Sequence, residues 1–211
     1  MVIPSRFEWV GGALPLDFVN TVTWTDSGLV NERLSTYGDL VDWAVEGGAI
    51  EAAEGARLQR RAETRGPAGR AALARAHERR RRLHAAFVAT ARREPLAPAD
   101  LAGLNQALAD ATRRLRLEDG AGTYSWMLER KSSDLDGPLY PVIWEAVRLL
   151  TSDDRRWLKH CASHDCGWVF LDRSRNHARR WCDMKVCGNN EKARRFYRKQ
   201  RARAAEPSRQ S

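Results

Sequence analysis

Four cysteines are confined to the last quarter of this 211-residue chain: Cys161, Cys166, Cys182 and Cys187. Their spacing is C-x4-C, fifteen residues, then C-x4-C. Each short loop can bring two thiolates to one point, and four thiolates close a tetrahedral zinc shell. The competing chemistry is a pair of disulfides, which needs an oxidising compartment. Met1–Gly12 has no apolar h-region and no small-residue cleavage site. No run approaches the roughly 18 apolar residues of a membrane span. The expectation is a cytoplasmic chain whose reduced thiols bind one zinc ion. Four cysteines leave no open position for water, so the zinc is expected to be structural. His160 and His164 lie beside the first pair and offer a Cys3His shell. The four cysteines are the better matched set, with both histidines in solvent or in bonds around the ligands.

A segment of about 45 residues buries too little apolar surface to fold alone. A structural zinc supplies on the order of 10–16 kcal/mol of apparent binding energy to such a module. Trp168, Phe170 and Trp181 are its expected core. The charge lies here too. From Arg155 to Ser211 there are 16 Lys/Arg against 5 Asp/Glu, while the other 154 residues carry 20 against 22. The whole excess behind the net charge of +9 therefore sits on the cysteine module and its tail, which points to an acidic polymer as partner.

Beyond Cys187 the sequence predicts a helix from Asn190 to about Ala204, capped by Asn189 or Asn190. Ala193, Phe196 and Tyr197 form an i, i+3, i+4 seam expected to hold it down. Arg194, Arg195, Arg198, Lys199, Arg201 and Arg203 surround that seam. All of these but Arg203, with Arg173, Arg175, Arg179, Arg180 and Lys192, are the candidate phosphate contacts.

Catalytic chemistry has no comparable set. There is no G-x-x-x-x-G-K phosphate loop, no H-E-x-x-H and no Ser/His/Asp order. His77 and His84 share a helix face without a third ligand. The chain is expected not to be an enzyme. Asp17, Asn20 and Thr21 sit beside Phe18 and Trp24, with Arg33 facing them. Such a polar set among aromatics could line a small-molecule pocket, or could cap helices and satisfy buried backbone.

The elements that must position these groups are mainly helical. Phe7–Val10 reads as a short strand before Gly11-Gly12. Pro15 opens a helix through Thr21, with Leu16, Val19 and Val22 on one face. Thr36 and Asp39 form a capping box for a helix that Gly47-Gly48 ends. Residues 51–65 and 69–93 read as helices broken at Gly66-Pro67, and Arg79 to Arg82 as a solvated surface. Pro98 opens a helix with an apolar stripe of Leu101, Leu104, Leu108, Ala111 and Leu115. Tyr124–Leu128 reads as a strand, and Pro141 opens a helix through Leu150. Trp157–Cys161 and Gly167–Leu171 read as strands around the first metal loop. The fold class is thus mainly α, a helical N-terminal domain over 1–154 with a few short strands, then a small α+β zinc module over 155–205 and a tail over 206–211.

Asp172-Arg173-Ser174-Arg175-Asn176, Arg179-Arg180-Trp181-Cys182, Met184 and Cys187-Gly188-Asn189 together resemble the CGNR zinc finger, across about residues 155–203. Leu16-Asp17-Phe18-Val19-Asn20-Thr21, followed by Asn31-Glu32-Arg33-Leu34, resembles the ABATE domain that accompanies it, described as a stress-induced transcription regulator of bacteria. The resemblance implies a zinc-containing DNA-binding regulator, with the N-terminal domain sensing a small molecule. DNA, an effector and a second copy of the chain are the implied partners. One departure is plain: Asn190 stands where the family's namesake arginine falls, leaving the zinc ligands untouched. The other reading is a protein-interaction or small-molecule-binding protein whose zinc is purely structural.

Overall fold

The computed structural model describes residues 5–129 and 134–205, with side chains to 201. The tail over 206–211 and the side chain of Arg203 lie outside the described residues. Among these there are seven α-helices and three two-stranded antiparallel sheets, the mainly α class expected. Phe7–Val10 forms no strand. Phe7 is buried instead, and Trp9 stacks on Trp43 at 5.8 Å between centroids.

Helix α1 (Leu14–Val19) opens with Pro15 in its first turn and is buried from Pro15 onward. A small hairpin follows, β1 (Thr23–Thr25) with β2 (Gly28–Val30). The capping box forms as read: Thr36 accepts from the Asp39 amide and Asp39 from the Thr36 amide, opening α2 (Tyr37–Glu46). Helices α3 (Ala52–Thr64) and α4 (Gly66–Arg92) meet at Gly66-Pro67. With 27 residues, α4 is the spine. It packs against α1, α2, α3 and α5 (Pro98–Thr112), and also against the zinc module.

The stripe expected on α5 is displaced. Leu104, Ala107 and Ala111 are buried, while Leu101 is half exposed and Leu115 has left the helix for a strand. That strand, β3 (Leu115–Asp119), pairs with β4 (Tyr124–Leu128). Helix α6 (Tyr140–Thr151) completes the bundle.

In the zinc module, β5 (Leu158–His160) pairs with β6 (Val169–Leu171). Leu158, Val169 and Leu171 belong to the same apolar cluster as Leu16, Phe18, Phe87 and Val142. The module therefore shares the main core as well as having its own.

The run Arg79 to Arg82 is not the solvated surface expected. Arg80 is buried, and its guanidinium donates to Glu32 through both terminal nitrogens and to Thr21 Oγ1 at 2.8 Å. Arg79 pairs with Asp136 at 3.1 Å. A four-residue run covers a full helical turn, so one member must face inward on a helix packed on several sides. Burial alone would raise the Glu32 carboxyl, but hydrogen bonds from Arg80 and the Leu34 amide overcome it and hold it below its usual range. Arg80→Ala strands part of that pair and is expected to cost about 3 kcal/mol in urea unfolding. Arg81→Ala, on the solvent side, is expected to cost about 0.5 kcal/mol or less.

Candidate metal centre and nucleic-acid interface

Strands β5 and β6 project the first thiol pair from one end of the hairpin, and the loop after Asp172 returns the chain with the second. The four Sγ atoms lie within 4.8 Å of one another. Cys166 to Cys182 and Cys182 to Cys187 are each 3.6 Å apart. Sulfurs around one zinc at about 2.3 Å would stand about 3.8 Å apart, so the spacing fits a single tetrahedral ion, and no pair is bridged. The donor chemistry agrees. Cys166 and Cys182 donate to Cys161, which pushes the Cys161 thiol down and their own up. Protein groups alone thus sustain one thiolate well and four badly. A dication supplies the missing counter-charge. Trp168 and Phe170 wall the cluster, with Trp181 partly buried beside it. His164 bonds to Asp165 at 2.7 Å, and neither it nor His160 joins the cluster.

The loop between the pairs is built on Asp172, which is fully buried. It accepts from Lys159 Nζ at 2.6 Å, from the Ser174 amide and hydroxyl at 3.0 and 2.6 Å, and from the Arg179 amide at 2.9 Å. Burial opposes its ionisation, but these donors outweigh it and hold the carboxyl far below its usual range. Lys159 also donates to the carbonyls of His177 and Arg179. Arg173 and Arg175 are left exposed on this loop.

Arg179 is spent within the module and on its joint with the N-terminal region. It donates to the carbonyls of Trp181, Cys182 and Val10 and lies 4.3 Å from the Phe170 ring centroid. Arg194 is also committed, to Asp165 at 3.1 Å and Glu191 at 3.6 Å. Arg173, Arg175, Lys192, Arg195, Arg198, Lys199 and Arg201 are exposed without an acidic partner among the described residues. Arg180 is exposed over the Trp181 ring.

Helix α7 (Asn189–Ala205) is led in by a π-helical turn over Met184–Gly188. The cap is Asp183, whose carboxylate accepts from the amides of Lys185 and Val186. Asn189 instead donates to the Lys185 carbonyl. The expected seam does not hold the helix down, for Phe196 and Tyr197 are 58% and 62% exposed. The principal packing of α7 is against the turn that leads into it. A helix anchored only at its start has no surface for such a seam to cover.

The polar set near α1 does a different task from lining a pocket. The Asn20 amide donates to the Val169 carbonyl at 2.9 Å and accepts from the Val169 amide at 3.1 Å, standing in as a neighbouring strand for β6. Thr21 accepts from Arg80. Asp17 accepts from the Gly11 amide at 2.7 Å, and the Gly11 carbonyl accepts from Leu171. Trp24 stacks on His84 at 3.8 Å, and its carbonyl accepts from Gly167. A Cβ on Gly167 would fall 2.5 Å from that of Trp24, so only glycine permits the approach. The Gly167 carbonyl in turn lies 2.7 Å from His84 Nε2.

Of the five proposed effector residues, only Arg33 lines the cleft of about 600 Å³ between this region and the zinc module. Sequence reasoning missed the cleft, whose walls come from Asn31 and Arg33 on one side and Asn190, Arg194 and Tyr197 on the other. No local pattern signals a cavity made by two distant segments.

Two family profiles cover most of the chain. Residues 12–153 match the ABATE family, described as "Putative stress-induced transcription regulator". The chain belongs to this family. Residues 156–200 match the CGNR zinc finger, which carries the four clustered cysteines and could hold one zinc ion. The comparison with curated proteins gives no match. No helix of the described residues is long and apolar enough to cross a membrane.

The joint sets two expectations. Asn20→Ala leaves both Val169 backbone groups unpaired and is expected to cost about 3 kcal/mol by urea unfolding. Burial pushes His84 down to about 4 and Asp17 up to about 6. As pH falls from 6.5 to 4, His84 costs stability, because the unfolded chain takes a proton that the native one refuses. Asp17 gives stability back over pH 6 to 4, because the native carboxyl holds a proton that the unfolded chain releases. Each effect is about 3 kcal/mol at 1.36 kcal/mol per pKa unit. Relative to the parent protein, His84→Gln is expected to gain stability on acidification and Asp17→Asn to lose it, read by denaturant midpoints at several pH values.

Proposed function

We propose that this chain is a DNA-binding transcriptional regulator, not an enzyme, in which one zinc held by Cys161, Cys166, Cys182 and Cys187 fixes the finger and α7 contacts the duplex. The observation that carries this is the state of α7: every described side chain from Lys192 to Arg201 is exposed, and among these the basic residues other than Arg194 have no acidic partner among the described residues. Phosphates are the partners such a face suits, and the placement of the whole positive excess on this part of the chain supports the same reading. Arg173 and Arg175 extend the contact set from the Asp172 loop.

The effector reading rests on the cleft. A small molecule seated there would touch Asn31 and Arg33 of the N-terminal region and Asn190, Arg194 and Tyr197 of α7 at once. Its occupancy would bear directly on the helix that meets DNA. Asn190, in the place of the family's arginine, belongs to this wall.

Purified protein is expected to hold one zinc per chain by elemental analysis, and Cys187→Ser to lose it. Duplex affinity is expected to fall with salt at a log–log slope of about −4 to −5, at about −0.9 per phosphate contact. Lys192→Ala with Arg195→Ala flattens that slope by about 2 with zinc content unchanged, while Arg194→Ala, already neutralised by Asp165 and Glu191, leaves it nearly as it was. Zinc-loaded protein that binds no duplex at low salt, but captures a protein through Phe196 and Tyr197, would overturn the DNA reading in favour of an interaction module.

A further inference from the structure

We propose that two copies of this chain pair antiparallel through the open edge of β4, with a two-fold axis beside Trp126, forming one four-stranded sheet. The β3–β4 hairpin is held against the bundle by little more than an edge-on contact of Trp126 with Trp144 of α6, 6.4 Å between centroids. Strands β3 and β4 form a two-stranded sheet with no third strand among the described residues, and such ribbons are marginal in water without a third strand or a covering surface. The register places Leu115 opposite Leu128, Leu117 opposite Trp126 and Asp119 opposite Tyr124. One face thus carries Leu115, Leu117, Tyr124, Trp126 and Leu128, with Asp119 at its outer corner, and Leu117, Tyr124 and Trp126 are 59%, 70% and 63% exposed.

The backbone says which groups are open. The Gly120 amide donates to Thr123, and the Glu129 amide to Arg114. Antiparallel ladders alternate, so the inward-bonded pairs between these are Glu118 with Ser125 and Arg116 with Met127. The amides and carbonyls of Tyr124, Trp126 and Leu128 therefore point out of the hairpin, along an edge of β4 that no other strand of the described residues occupies.

The two edges of the hairpin differ. Strand β3 carries Arg116, Glu118 and Asp119, the charges with which proteins blunt an edge against pairing. Strand β4 reads Tyr-Ser-Trp-Met-Leu, with no charge and no proline. It is also its own complement. Laid antiparallel about Trp126, it sets Trp126 against the partner's Trp126 as a hydrogen-bonded pair. Tyr124 falls opposite the partner's Leu128, and Ser125 opposite the partner's Met127. Every outward amide finds a carbonyl, no like charges meet on a protein of net +9, and the apolar face becomes continuous across four strands. A groove of about 790 Å³ lies between this hairpin and Pro141 and Trp144 of α6 and the start of α3. This inference does not depend on the DNA-binding reading.

The test uses the full-length, zinc-loaded chain. Sedimentation equilibrium is expected to show a reversible dimer. Ser125→Cys combined with Met127→Cys is expected to give a disulfide-linked dimer on mild oxidation, because these positions form a non-hydrogen-bonded pair across the axis, with Cβ atoms about 4.5–5.5 Å apart. Neither single variant should cross-link, since each cysteine would then face a methionine or a serine. Tyr124→Lys with Trp126→Lys is expected to weaken the dimer by on the order of 100-fold, with circular dichroism and zinc content unchanged. A chain that stays monomeric at all concentrations overturns the proposal. So does a dimer that the lysine variant leaves intact and the double cysteine variant fails to link, or a monomer that takes up a foreign strand-forming peptide at β4. Should the lysine variant misfold, the cross-linking pattern decides alone.

Discussion

The joint between Asn20 and Val169 is the constraint on which the arrangement rests. A short finger strand cannot leave its outer backbone groups unpaired against an apolar core. Strand β6 has one partner strand, β5, and its other side lies against α1. One primary amide, held at the buried end of α1, supplies the donor and the acceptor that a third strand would have supplied. Gly11, Trp24 and His84 add bonds to Leu171 and Gly167 on either side. The finger is thereby fixed by backbone pairing, which depends little on which side chains it displays outward.

That arrangement leaves the zinc cluster and α7 with separate tasks. The cluster and the Asp172 cradle set the shape of the finger, while α7 runs out from it with little packing of its own. Rigidity lies where the finger meets α1 and α4, and exposed charge lies where the chain has left the core. The cleft sits between them, so a molecule bound there would touch the fixed wall and the projecting helix together.

The Arg79–Arg82 run, the polar set after α1 and the β3–β4 hairpin illustrate one difficulty of reading a chain one segment at a time. Arg80 looks like its neighbours until α1 and the Glu32 loop are brought against it. Asn20 looks like a pocket residue until Val169, far along the chain, is placed beside it. Leu115 continues a helical stripe in sequence, yet its strand pairing with Leu128 takes it out of the helix. In each case the deciding partner is remote, and no local period carries its identity.

What the sequence determined by itself were the features whose causes are short in range. The two C-x4-C loops bring thiols together because each spans one turn, the Thr36–Asp39 box opens α2 because its bonds join residues three apart, and Gly66-Pro67 parts α3 from α4 through backbone restrictions alone. The imbalance of charge after Arg155 is likewise plain from composition. Only the tertiary structure decided which arginines are free and which are spent, that Asp183 and not Asn189 caps the turn into α7, and that the finger shares the main core. Those outcomes depend on burial and on partners from distant segments, and both come into being only when the chain has folded.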